Sequence, residues 1–69
     1  MDIETKIRQL KAMHELMLCA NDEELYFRWI YIMPDEPSED DFMDIARNEE
    51  TFMECYETFL RLIKSKNYL

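Results

Sequence analysis

The chain has 69 residues and 8.5 kDa, with 16 acidic residues against 8 Lys and Arg and a formal charge of -8. That length supports one small domain (1–69) with a thin core, burying roughly 60% of the surface the unfolded chain exposes. The charge argues against affinity built on neutralising phosphates or anionic lipid, and a hydrophobic content of 48% argues against a disordered acidic tail.

There is no Gly, no Val, and Pro stands only at 34 and 37. Tight hairpin turns lean on residues with positive φ, so this composition disfavours hairpins, while abundant Leu, Met, Glu and Lys favour helix. The reading is an all-α fold, a small bundle of three to four helices at about 2–19, 22–33, 39–47 and 49–66. Asn21, Asn48 and Asn67 mark the places where one periodic segment gives way to the next, since Asn both caps helix starts and tolerates the left-handed conformation.

In the first helix Ile3, Ile7, Leu10, His14 and Met17 share a stripe, with Glu4, Arg8, Lys11 and Glu15 opposite. His14, the only histidine, reads as a boundary residue with one satisfied hydrogen bond. The second helix starts after Asn21 with acids in its first turn and ends by Met33, because Pro34 excludes helical geometry from its predecessor. Leu25, Tyr26, Trp29, Ile32 and Met33 take one broad side of it, while Phe27 and Tyr31 fall opposite. A rival reading makes 25–33 a strand, paired with a second copy of itself. Ser38 opens the third helix, with Phe42, Ile45 and Ala46 inward and Asp40, Asp41 and Asp44 outward; it either ends near Asn48 or bends there. In the fourth, Phe52, Tyr56, Phe59 and Ile63 form the stripe, flanked by Cys55 and Leu60.

The opening MDIETKIRQL has no long apolar run and no window reaches 18 uncharged apolar residues, so neither a signal peptide nor a membrane span is expected. Cys19 and Cys55 lack any metal-ligand spacing and are expected as free thiols in the cytoplasm. No cofactor or metal site and no catalytic constellation is expected. A phosphate loop needs Gly, the acidic run 35–44 lacks the calcium-loop pattern, and no partner for a catalytic His14 is evident.

Charge is unevenly spread. Residues 21–58 hold 13 acids and two bases, and 59–69 hold three bases and no acid. Asp35, Glu36, Glu39, Asp40, Asp41 and Asp44 therefore form a candidate electrostatic rim for a basic partner. Phe27, Trp29 and Tyr31 are the candidate apolar anchors, because aromatic residues beside Arg dominate protein interfaces. A homodimer through helix two would relieve the thin core.

The stretch NDEELYFRWIYIMPDEPSEDDF, with FMECYETFLRLI after it, resembles small acidic proteins carried by phages and integrative mobile elements of Gram-positive bacteria. The resemblance implies a cytoplasmic accessory protein that regulates or antagonises a host factor, and assigns no site residue. The expected function is thus a non-catalytic, self-associating protein-binding module. The alternative is a nucleic-acid mimic that fills the DNA- or RNA-binding groove of a basic host protein. Direct nucleic-acid binding through Lys6, Arg8 and Lys11 and the basic C-terminus would have to overcome the acidic field.

Overall fold

Residues 1–66 are described by a computed structural model, in which four helices and no strand occur: α1 (Ile3–Cys19), α2 (Glu23–Trp29), α3 (Glu39–Arg47) and α4 (Glu49–Ser65). Asn67 lies outside the described residues.

Each helix begins on a side-chain cap. Asp2, Asp22, Ser38 and Asn48 accept from the backbone N–H three residues on, at 2.7, 3.1, 3.2 and 3.1 Å. At Ser38 the cap is reciprocal, since its own N–H donates to Asp41 Oδ2 at 2.8 Å. Four otherwise orphaned donors are satisfied this way, each cap being worth ~1 kcal/mol. Asn21 does not cap a start. It takes φ 53° between α1 and α2, the left-handed geometry Asn accepts at least cost in a chain without glycine. Asn48, extended at φ -105° and ψ 107°, closes α3 and caps α4 at once, so the two are separate helices with a one-residue joint.

α2 is shorter than the sequence suggests. It ends at Trp29, whose carbonyl accepts from both Ile32 and Met33 at 3.1 Å. Pro34 offers no N–H to Ile30 and excludes helical geometry at Met33, so the last turn loosens. Met33 is nevertheless fully buried, as are Leu25 and Trp29.

The core joins Leu10, Met13 and Met17 of α1 to Leu25, Trp29 and Met33, to Phe42, Ile45 and Ala46 of α3, and to Phe52, Cys55, Phe59 and Leu62 of α4. α1 packs on the other three helices and α4 does the same, whereas the backbones of α2 and α3 do not approach each other closely. Trp29 meets Phe59 edge to face, with centroids 5.9 Å apart. Its Nε1–H donates to His14 Nδ1 at 3.0 Å, the single bond expected for a boundary histidine.

Two helix faces differ from expectation. The buried stripe of α4 is Phe52, Cys55, Phe59 and Leu62, which leaves Tyr56 exposed and Leu60 and Ile63 half-buried. On α1, Lys6 is buried while Ile3 is exposed. The Lys6 ammonium lies 5.2 Å from the Phe52 ring centroid and pairs with Glu49, so its stem lines the core and its charge emerges beside a carboxylate.

Candidate protein-binding site

Helical geometry sorts the three aromatic anchors into two groups. Phe27 and Tyr31, four residues apart, lie on the outer side of α2 and its following turn, 61% and 92% exposed. Trp29, two positions from either, faces about 200° away and is completely buried. Trp29 is therefore a core residue and not a contact for a partner. Beside the exposed pair, Arg28 is held by Glu24 at 3.0 Å.

The acidic rim divides according to what each carboxylate already does. Asp35 accepts from the Tyr26 hydroxyl at 2.6 Å, which ties the loop after α2 back to that helix. This bond, with burial adding to it, pushes the Tyr26 phenol up to about 12. Glu39 pairs with Lys11 of α1 at 2.5 Å, and Asp41 closes the Ser38 cap. Glu36, Asp40 and Asp44 are exposed and form no ion pair among the described residues. Of the six, only Asp35 is bonded to a residue of α2, and that residue is the half-buried Tyr26, not Phe27 or Tyr31. Asp40 and Asp44 are exposed on α3.

The basic residues of α1 do not form an open patch. Lys6 is committed to Glu49 and Lys11 to Glu39, leaving Arg8 with a 3.4 Å bond to Thr5 Oγ1. The groups with catalytic potential are likewise occupied. His14 Nδ1 is taken by Trp29, and burial depresses the imidazole below its ordinary value, against a smaller opposing pull from Asp35 and Glu15. Cys55 is buried, which pushes its thiol up to about 11, so it is a poor nucleophile at neutral pH; Cys19 is an exposed free thiol. Among the described residues no cluster of three His, Cys, Asp or Glu could hold a metal ion, and no helix is long and apolar enough to cross a membrane.

One surface was missed in the sequence. An apolar groove of about 550 Å³ runs between the C-terminal halves of α1 and α4, with Leu16, Cys19, Tyr56, Leu60 and Ile63 along it. Leu16 is 58% exposed and Tyr56 39%. The signal was present as a second set of apolar residues on α4, at 53, 56, 60 and 63, one position round from the stripe that is buried.

No protein-family model, curated protein or solved structure matches this chain.

Proposed function

We propose that the chain is a small acidic protein-binding module without catalytic activity, an accessory or regulatory protein of the cytoplasm that holds a protein partner on the outer edge of α2. The observation that carries this reading is the exposed pair Phe27 and Tyr31. A chain that buries Leu25, Trp29 and Met33 completely from the same segment leaves two large rings in water four residues apart, which is how an anchor for a partner's pocket is presented. Asp35 and Glu36, in the loop just beyond, supply negative charge for a basic rim on that partner. The unpaired thiols of Cys19 and Cys55 suit a reducing compartment. The commitment of His14 and the burial of Cys55 speak for a role without catalysis. An accessory role is also what the resemblance to acidic mobile-element proteins implies.

The competing reading, mimicry of a nucleic acid, draws on Glu36, Asp40 and Asp44, which are exposed and have no ion pair among the described residues. Capture of partners from host extract on the immobilised chain separates the two. Under the module reading, Phe27→Ala with Tyr31→Ala loses the captured protein, whereas Glu36→Gln, Asp40→Asn and Asp44→Asn together retain it, also in high salt. Mimicry demands the reverse pattern and a steep loss with salt.

A further inference from the structure

We propose that the α1–α4 groove is the seat of a second copy of this chain, with the two α4 helices packed antiparallel about a two-fold axis that passes between Tyr56 and Leu60. This surface lies apart from the aromatic edge of α2 and does not depend on the function proposed for it.

The first support is spacing. Met53, Tyr56, Leu60 and Ile63 recur at intervals of three, four and three along the outer side of α4, the rhythm of a coiled-coil seam. Met53 and Tyr56 are each 39% exposed, and Leu60 and Ile63 are half-buried. They form a continuous strip along a helix about 25 Å long, separate from the stripe that α4 gives to its own core. Leu16 and Cys19 of α1 widen that strip into a face. A stable interface covers roughly 800 Å² per partner, about a sixth of the 4843 Å² surface of this chain, so α1 has to contribute to it. An isologous pairing needs a self-complementary patch, and an apolar strip centred between Tyr56 and Leu60 is one, with Met53 opposite Ile63 and Tyr56 opposite Leu60.

The second support is charge, and it fixes the direction. Beside the strip, the N-terminal half of α4 carries Glu50, Glu54 and Glu57, and the C-terminal half carries Arg61 and Lys64. None of the five forms an ion pair among the described residues, whereas Lys66 is held by Asp22 and Glu24 at 3.6 and 3.7 Å. An antiparallel pair sets the acidic half of each helix against the basic half of the other, with Glu50 facing Lys64 of the second copy in both directions. A parallel pair would set Glu50 against Glu50 and Lys64 against Lys64. Near the axis Glu57 meets its own counterpart, and Arg61, one turn on, lies beside both.

The test is molar mass by light scattering over a range of protein and salt concentrations, with helix content checked by circular dichroism. The wild-type chain is expected at twice 8.5 kDa, and it stays so in high salt because apolar contact carries most of the affinity. Glu50→Lys or Lys64→Glu alone places like charges opposite each other twice per dimer, and each should weaken association roughly tenfold or more. Mixing the two variants pairs every reversed charge with its complement and restores the dimer, which a loss of folding would not. Phe27→Ala with Tyr31→Ala leaves the dimer intact and so keeps this proposal distinct from the module reading. A wild-type monomer throughout, a dimer indifferent to both charge reversals, failure of the mixture to recover, or loss of the dimer on changing Phe27 and Tyr31 would each overturn it.

Discussion

The indole N–H of Trp29 donates to Nδ1 of His14 across the buried contact between α2 and α1. Indole only donates, so Nδ1 must be unprotonated and the imidazole neutral. Its folded pKa lies below the ordinary 6.5, chiefly through burial, and the unfolded chain therefore takes up the proton first. The stability this contributes is fully present above pH 6.5 and is lost as pH falls through the folded value. Urea unfolding followed from neutral to mildly acidic pH should show a falling midpoint. Trp29→Phe, which leaves Nδ1 without a donor, should cost about 1–3 kcal/mol at neutral pH and show a shallower acid dependence. An equally steep loss in that variant would mean that a different group controls the acid response.

Tyr26 and Asp35 form a second titrating contact at the other end of the pH scale. With the phenol held at about 12, spectrophotometric titration of Asp35→Asn should bring Tyr26 back toward 10. Here the folded value is the higher one, so the bond supports the fold below pH 10 and its contribution fades as pH rises through about 12. A Tyr26 that already titrates near 10 in the wild-type chain would show that the loop does not hold Asp35 against it.

Glu36 stands at φ 54°, where a side chain with a Cβ pays for its backbone geometry. Glu36→Gly should therefore raise stability by about 0.5–1 kcal/mol, measured by chemical denaturation. The gain arises wholly in the backbone, because the carboxylate is exposed and has no ion pair among the described residues. Glu36→Ala, which removes the same charge and keeps the Cβ, is expected to change little.

The caps at Ser38 and Asn48 were legible in the sequence, because a cap is a contact between residues three apart and needs no knowledge of the rest of the chain, whereas at the start of α2 the cap is Asp22 and not Asn21. The inward set of α3 was legible for a similar reason: Phe42, Ile45 and Ala46 are the only apolar residues there besides Met43. α4 offered no such choice. Its apolar residues fill two adjacent stripes, both spaced by threes and fours, and only the approach of the other three helices decides that Cys55 and Leu62 are buried while Tyr56 is exposed and Ile63 half-buried. Lys6 was hidden for another reason. Its cover, Phe52 and Glu49, comes from more than forty residues away, and a charged residue read alone is placed in water. Among the anchors, the wheel already set Trp29 opposite Phe27 and Tyr31; grouping the three by composition obscured a distinction that their spacing makes.

Thiol chemistry gives an independent view of the same arrangement. In the native chain Cys19 should react with a thiol reagent at neutral pH while Cys55, buried and pushed up to about 11, reacts only after unfolding. If α1 and α4 together receive a second copy, the Cys19 rate should also fall as the wild-type concentration rises and should not fall for Lys64→Glu. A Cys19 rate independent of concentration would argue that the groove stays open to solvent.

With only Asn48 between them, α3 and α4 are phased to each other by the backbone angles of that residue and by the core they share. The azimuth of α4 is set by the core it shares with the other three helices, and each residue of helix turns it by about 100°. One residue inserted at the joint would carry Glu54 and Arg61 into the places now held by Cys55 and Leu62. The outward chemistry of α4 is thus phased by a junction residue that takes no part in that chemistry itself.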